Sequence, residues 1–189
     1  MRKLVYYVGM SIDGFISGPD GEVDFLPVTD DVVGFIVQEY PDALPTHVRA
    51  QLGVDSPNRR FDVCIQGRAT YQPALDVGIT SPYAHLRQIV ASRSLGAGLD
   101  PAVEVVAGDV VALVRELKAQ EGRDIYLAGG GQLAGELLGE VDALVLKVYP
   151  VVAGDGVPLF RAGFSPVAFS LVDSRALPSG MVVLSYERT

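Results

Sequence analysis

The chain has 189 residues, of which 49% are hydrophobic and 20% charged, and its net charge is −8 at pH 7. This length and apolar content suit one domain with one sizeable core, and they exclude wholesale disorder. The negative charge argues against a general nucleic-acid binder and against a polybasic membrane contact, since both need an excess of lysine and arginine. No apolar run approaches the roughly 20 residues of a membrane-spanning helix.

Cysteine and histidine are too scarce for a disulfide or a zinc centre. Cys64 is the single cysteine, and the histidines, His47 and His85, lie outside any metal-binding spacing. We therefore predict no bound metal and interpret Cys64 as a small buried apolar residue. The N-terminal segment lacks the apolar stretch of a signal peptide, so we expect a cytoplasmic protein.

The first half of the chain alternates predicted strands with helices. Strand patterns rich in β-branched and aromatic residues occur at residues 3–10, 61–66 and 86–91. Thr29 is a candidate N-cap for a helix that runs to Tyr40 and carries two acidic residues in its first turn. Residues 41–60 are rich in loop signals, with a short helix expected over 46–52.

The second half continues the alternation. Further strand patterns cover residues 103–106, 124–128 and 143–152. Asp109 is the expected cap of an amphipathic helix over 110–120, which Gly122 stops. A shorter helix is predicted over 132–138, directly after a run of three glycines.

The chain ends in a predicted hairpin. Residues 167–175 and 181–188 flank Pro178-Ser179-Gly180, a sequence that favours a turn. Strands that alternate with helices are typical of a buried parallel sheet. The prediction is therefore a single α/β domain over 1–189, with a mostly parallel central sheet flanked by helices and a C-terminal antiparallel hairpin.

Residues that follow the predicted strands have the chemistry of a phosphate site. Ligands of parallel sheets bind at the carboxyl ends of the strands. Arg68 and Arg93 each follow a predicted strand, and Gly129-Gly130-Gly131 follow another. Glycines admit a close ligand, helix N-termini offer free N–H groups, and the arginine fork matches phosphate oxygens. We expect the two arginines to converge on one phosphate, although a tight turn and surface ion pairs are the plainer alternatives.

Three familiar motifs are absent from the sequence. It contains no G-x-G-x-x-G with its downstream ribose-binding acid, no P-loop, and no G-x-S-x-G. An ordinary Rossmann dinucleotide site, a P-loop nucleotidase and an α/β-hydrolase are therefore disfavoured.

Four segments in a fixed order carry a family resemblance. They span nearly the whole chain and cover residues 7–17, 67–71, 125–133 and 145–160. The second reads Gly67-Arg68-Ala69-Thr70-Tyr71, and the third is a hydrophobic strand that runs into the glycines. Together they resemble the dihydrofolate reductase-like superfamily, in particular the branch that contains the reductase domain of riboflavin biosynthesis. The deaminase half of those bifunctional proteins needs a Pro-Cys-x-x-Cys zinc site, which a chain with one cysteine cannot hold.

The resemblance implies a domain that binds NADPH across the edge of the sheet. Arg68 and Thr70 would contact the cofactor phosphates, and Ser92 and Arg93 would contact the adenosine 2′-phosphate. The glycine segment would hold the pyrophosphate, and the first strand would lie near the nicotinamide. The full set of implied cofactor-binding residues is Val8, Gly9, Ile16, Gly67, Arg68, Thr70, Ser92, Arg93, Gly129, Gly130, Gly131, Gln132 and Leu133.

The substrate side is less defined by the motifs. Asp13, Asp24 and Asp30 are the candidate substrate-binding carboxylates, and no residue is assigned as the proton donor. Asp30 lies near the position of the pterin-binding carboxylate of dihydrofolate reductases, but its register differs. Lys147 has two interpretations, a contact for an anionic substrate or an exposed lysine.

The leading hypothesis is an NADPH-dependent reductase of a small heterocycle, either pterin-like or ribosylamino-pyrimidine-like. A non-catalytic ligand-binding relative of the same fold is the alternative, since fold does not imply function. A structural or partner-binding role is a third possibility. The resemblance also implies a homodimer, in which the apolar late strand and the C-terminal hairpin pair two subunits.

Overall fold

The computed structural model describes residues 1–96 and 99–189, and an eight-stranded sheet forms the centre of this part of the chain. The strands are β1 (Leu4–Met10), β2 (Phe15–Ser17), β3 (Phe61–Gly67), β4 (Arg87–Ala91), β5 (Val103–Val106), β6 (Asp124–Gly129), β7 (Ala143–Val148), β8 (Val157–Pro158), β9 (Phe169–Ala176) and β10 (Val182–Arg188). The helices are α1 (Asp30–Glu39), α2 (Thr46–Gln51), α3 (Arg68–Asp76), α4 (Val110–Ala119) and α5 (Gly131–Glu136). Among the described residues, no helix has the length and apolar character needed to cross a membrane.

The predicted α/β fold class is confirmed by the order of the strands, which is β5-β4-β3-β6-β1-β7-β10-β9. The strands from β5 to β7 run parallel to one another, whereas β10 pairs antiparallel with both β7 and β9. The predicted C-terminal hairpin is therefore the antiparallel edge of the sheet. Parallel pairing brings the carboxyl ends of β1, β3, β4, β6 and β7 to the same edge.

Helices cover the two faces of the sheet with separate apolar clusters. On one face, Val114 and Leu117 of α4 pack with the strands and α5, because the apolar positions of α4 recur at helical spacing. The predicted cap of α4 is confirmed, since the Asp109 carboxylate accepts a hydrogen bond of 2.9 Å from the N–H of Ala112. On the other face, Phe35 of α1 packs among tyrosines of β1 and β6.

Several predicted boundaries differ from the structure. The strand predicted over 143–152 ends at Val148, and the chain beyond it turns away as an irregular segment. Thr29 occupies the N-cap position of α1, but its hydroxyl contacts the Asp31 carboxylate at 2.5 Å instead of capping a backbone N–H. The two-stranded sheet of β2 and β8 was not predicted, because elements of two and three residues have no measurable periodicity.

The loop-rich segment over 41–60 is held by a buried carboxylate. One oxygen of Asp42 accepts hydrogen bonds from the backbone N–H groups of Arg59, Arg60 and Phe61 at 2.8, 2.6 and 3.1 Å. The short helix expected in this segment is confirmed as α2. The segment is therefore ordered by polar contacts that its composition does not reveal.

Candidate functional site

The carboxyl ends of β3 and β4 are linked by an arginine. Arg68 is the first residue of α3, directly after β3, and its guanidinium is exposed. Its Nη1 donates a hydrogen bond of 2.5 Å to the hydroxyl of Ser94, which lies in the loop after β4. The structure thus brings the two predicted arginine segments together, through a serine that the motif comparison did not single out.

The N-terminus of α3 is open to an anion. Gly67 is its N-cap residue, no side chain caps it, and its first turn carries no acidic residue. The first N–H groups of a helix have no partner within the helix and carry partial positive charge. Arg68 adds a full positive charge at the same point, so this corner of the sheet suits a phosphate.

The glycine segment after β6 lies against the same corner. Gly129 has a φ of +112°, and its peptide bond to Gly130 is cis. A Cβ at Gly129 or Gly130 would lie 3.7 or 3.5 Å from the Thr70 hydroxyl oxygen, so Thr70 faces this backbone directly. Because Gly130 has no side chain and is only half-buried, a ligand could approach its backbone closely.

The small β2–β8 sheet packs over the glycine segment from the other side. A Cβ at Gly131 would lie 2.2 Å from the carbonyl oxygen of Pro158 in β8, so only glycine fits there. The side chain of Ile16 in β2 would lie 3.8 Å from a Cβ at Gly130. The resemblance placed Ile16 near the nicotinamide, and the structure places it beside the glycines.

The loop after β4 holds the remaining predicted phosphate contacts. The Ser92 hydroxyl is largely buried and accepts hydrogen bonds from the N–H groups of Ser94 and Leu95, at 3.3 and 2.9 Å. Ser92 therefore shapes the turn that presents Arg93, which is exposed. Among residues 1–96 and 99–189, neither Arg68 nor Arg93 forms an ion pair with an acidic side chain.

The other implied cofactor residues occupy different environments. Val8 packs against the cluster beneath α4 and α5, and Leu133 is almost fully buried in it. Gln132 is exposed on α5. Gly9 lies on the opposite face, where a Cβ would come within 3.0 Å of the Tyr149 ring and 3.6 Å of Leu26. Because the Leu133 side chain is buried, this residue can offer a ligand only its backbone.

The three candidate carboxylates do not gather at one point. Asp13 accepts hydrogen bonds from the backbone N–H groups of Ala153 and Gly154 at 3.0 and 2.7 Å. Hydrogen bonding from Ser11 and from these two N–H groups lowers the pKa of Asp13 to about 2. Asp24 and Asp30 are exposed, and no three acidic or metal-binding side chains cluster in the described parts of the chain. Asp13 thus holds the loop before β8, and a substrate contact for any of the three stays a prediction.

Lys147 is the residue whose setting was least apparent from the sequence. Its side chain is half-buried, so the interpretation as an exposed lysine is wrong. Its Nζ lies 4.3 Å from the centre of the Tyr7 ring. Burial lowers the pKa of this amine to about 8.

A groove of about 510 Å³ lies at the opposite edge of the sheet. It is lined by residues at the amino ends of the parallel strands, among them Lys3, Phe61 and Asp124. None of the implied cofactor-binding residues lines it. We therefore assign the candidate site to the carboxyl edge, where the motifs converge.

Comparison with known proteins shows the family to which this chain belongs. The model of the RibD C-terminal domain family matches residues 2–183. The chain belongs to this family. The matched region covers all four motif segments, so the resemblance drawn from those motifs is confirmed.

Relatives of this RibD C-terminal domain occur in Bacillus subtilis (strain 168). The uncharacterized protein YwjB is 30% identical over 162 residues, which cover 85% of this chain and 83% of YwjB. The uncharacterized protein YyaP is 27% identical over 188 residues, which cover 98% of this chain and 94% of YyaP.

Solved structures share the fold over the full length of this domain. A putative riboflavin biosynthesis protein from Shewanella sp. PV-4 superposes with a TM-score of 0.73 at 22% identity, covering 99% of that chain. A second structure superposes with a TM-score of 0.68 at 14% identity, covering 57% of that chain. It is a diaminohydroxyphosphoribosylaminopyrimidine deaminase/5-amino-6-(5-phosphoribosylamino)uracil reductase from Thermotoga maritima. The domain therefore has the dihydrofolate reductase-like fold of riboflavin biosynthesis reductases.

Proposed function

We propose that this domain is an NADPH-dependent reductase that transfers a hydride to a small heterocyclic acceptor, either pterin-like or ribosylamino-pyrimidine-like. The observation that carries the proposal is the meeting of Arg68, the open N-terminus of α3 and the glycine segment at one sheet edge. Reductase domains of the RibD family use NADPH. Arg68 and Arg93, which form no ion pair with an acidic side chain among the described residues, give a physical reason for a preference for NADPH, since NADPH carries an extra phosphate.

The residues at this edge fit the parts of the cofactor. NADPH, when bound, supplies a hydride from its nicotinamide. The N–H groups at the start of α3 and the glycine backbone hold the pyrophosphate, with Thr70 beside them. Arg68 and Arg93 bind the 2′-phosphate. The nicotinamide would lie near the end of β1, where Gly9 packs against Tyr149 and Leu26.

Calorimetric titration of the protein with NADPH and, separately, with NADH tests the cofactor assignment. We expect a micromolar dissociation constant for NADPH and clearly weaker binding of NADH, because only NADPH carries the phosphate that the arginines neutralise. NADPH oxidation with 7,8-dihydrofolate and with 5-amino-6-(5-phosphoribosylamino)uracil then tests the two acceptor types. A protein that binds neither nucleotide contradicts the proposal.

A non-catalytic ligand-binding role is the second candidate. It is favoured by the candidate carboxylates, because Asp13 is occupied by the Ala153 and Gly154 N–H groups, and Asp24 and Asp30 are exposed and do not gather with it into one site. In that case the protein binds NADPH but does not oxidise it, whichever acceptor is supplied. Replacing Asp13, Asp24 and Asp30 by asparagine would then leave nucleotide affinity unchanged and remove no activity.

We also propose that the domain forms a homodimer through its C-terminal hairpin. Strand β9 is the edge of the sheet and exposes the apolar side chains of Leu171 and Val172, at 54% and 57%. An apolar edge strand favours pairing with a second chain. Light scattering at micromolar concentration should give twice the chain mass of 20.1 kDa, and the variant Leu171→Glu should give the monomer mass. A monomeric wild-type protein contradicts the proposal.

A further inference from the structure

A lysine and two tyrosines surround Gly9 on the α1 side of the sheet. Gly9 of β1 pairs directly with Lys147 of β7. Tyr7, two residues before Gly9, lies under the Lys147 ammonium, with 4.3 Å from Nζ to the ring centre. The Tyr149 ring covers Gly9, as a Cβ there would be 3.0 Å from its Cε2 atom, and Leu26 lies beside it. We call these residues the Lys147 cluster: Tyr7, Gly9, Leu26, Lys147 and Tyr149.

Lys147 differs from the other lysines in having no acidic partner. The chain has three lysines. Lys3 pairs with Glu187 at 2.6 Å, and Lys118 pairs with Asp142 at 2.7 Å. Among the described residues, Lys147 donates no hydrogen bond and forms no ion pair, and its only polar attraction is to the Tyr7 ring.

The acidic groups of the elements around the cluster are engaged elsewhere. On α1, Asp31 accepts from the N–H of Ser179 at 2.9 Å, and Glu39 pairs with Arg60 and Arg175 at 3.2 and 3.6 Å. Asp30, also on α1, is exposed. The other ionisable members of the Lys147 cluster are the tyrosines Tyr7 and Tyr149, which are neutral at pH 7. A half-buried ammonium without a counter-charge is costly, so it persists where a ligand can complete its hydrogen bonds.

The cluster also contains a second unsatisfied donor. The Tyr7 hydroxyl is buried and has no hydrogen-bond partner in the described parts of the chain. Burial raises the pKa of this phenol well above its usual range, and the neighbouring Tyr40 and Tyr149 add to the effect. The phenol therefore stays protonated at neutral pH, and its O–H is able to donate a hydrogen bond to a ligand.

We propose that Lys147 is the catalytic residue that binds the reducible group of the acceptor and protonates it. The proposal rests on the proposed reductase function and specifies its substrate class, a planar conjugated carbonyl or imine whose oxygen or nitrogen points towards β7. Lys147 is suited to this role because it lies at the carboxyl end of β7, opposite the glycine at which the cofactor ring is expected.

The proton and electron balance of this step is complete. The acceptor carbon gains the hydride that NADPH supplies, and the π electron pair of its C=O or C=N bond moves to the heteroatom. The Lys147 ammonium gives that heteroatom a proton, which forms an O–H or N–H bond. The neutral amine is then reprotonated by water, and the net change is a two-electron reduction of the acceptor with oxidation of the cofactor to NADP⁺.

Trace acetylation with acetic anhydride tests the state of Lys147 without any substrate. Mass spectrometry distinguishes the three lysines, and labelling from pH 6 to 10 follows the neutral amine of each. We expect Lys147 to reach half of its maximal reactivity near pH 8, because its pKa is lowered to about 8, whereas Lys3, whose pKa the Glu187 carboxylate raises, reacts at higher pH. A Lys147 that stays inert up to pH 10 while Lys3 reacts is closed to ligands, and this overturns the proposal.

The variant Lys147→Met removes the proton donor and keeps much of its volume. We expect it to reduce kcat/KM by at least about 100-fold, the usual contribution of a general acid, while its dissociation constant for NADPH stays within about twofold of wild type. Wild-type activity should fall as pH rises through about 8, because the protonated amine is required, and Lys147→Met should lack this limb. Lys147→Arg should keep substrate binding and lose turnover, since arginine does not release its proton.

Lys3→Met is the matched control, because Lys3 forms an ion pair with Glu187 at the protein surface. This variant should change neither the rate nor the pH profile. A Lys147→Met protein with wild-type turnover and pH profile overturns the inference and leaves the reductase function standing. A wild-type protein that does not bind NADPH overturns the reductase function instead, and with it the inference.

Discussion

Gly131→Ala is expected to destabilise the protein by roughly 3 kcal/mol, the upper end of the usual cost of overpacking. The added methyl group would lie 2.2 Å from the carbonyl oxygen of Pro158 and 3.4 Å from its carbonyl carbon. Both atoms belong to the backbone of β8, so relief requires that β8 move away from the glycine segment. Urea denaturation followed by circular dichroism measures the change in the free energy of unfolding.

Gly139→Ala is the matched control for this prediction. A Cβ at Gly139 meets nothing within 4 Å, and the residue lies in the connection after α5. Its free energy of unfolding should stay within about 0.5 kcal/mol of wild type. If the two variants lose stability equally, crowding against Pro158 is not the reason for glycine at position 131.

Arg68→Ala and Arg93→Ala should each raise the dissociation constant for NADPH by about 10- to 100-fold, because a hydrogen bond to a charged group contributes roughly 1.5–3 kcal/mol. NADH affinity should change much less, since NADH lacks the 2′-phosphate. Ser94 links the Arg68 guanidinium to the loop that carries Arg93, so both side chains serve the same corner. Calorimetric titration of each variant with both nucleotides gives the comparison.

Arg87→Ala is the control for the arginine variants. Arg87 begins β4, at the edge of the sheet opposite Arg93, and pairs with Glu104 at 2.7 Å. Its removal should leave the affinity for both nucleotides unchanged, because an exposed ion pair contributes little. Equal losses for NADPH and NADH in Arg68→Ala would mean that the arginine does not bind the 2′-phosphate.

The sequence predicted the parts of the fold whose signals are local. Buried strands such as β3 and β6 are short apolar runs between turn residues, and α4 has both an apolar stripe and the capping residue Asp109. The parallel-sheet rule then placed Arg68 and the glycines at one edge without knowledge of any contact. These inferences hold because they depend on residues that are adjacent in the chain.

The parts that the sequence did not predict depend on distant contacts. Strand β2 is three residues long and pairs with β8 some 140 positions later, at Phe15 with Pro158. The burial of Lys147 comes from Tyr7 and its neighbours on another strand, and the carboxylate of Asp13 is occupied by a loop near residue 153. A pattern within one segment carries no information about such partners.

The central position of β1 has a consequence for the nascent chain during its synthesis. Leu4 pairs with Ile125 of β6, and Val5 pairs with Ala143 of β7, so β1 has no neighbour in the sheet until those segments have been made. At about 5–20 residues per second, the wait is roughly 6–24 s. Throughout that interval the nascent chain carries an apolar segment whose Leu4 and Tyr6 end up fully buried, with both hydrogen-bonding edges bare. During this wait the exposed apolar segment is prone to associate with other unfolded chains.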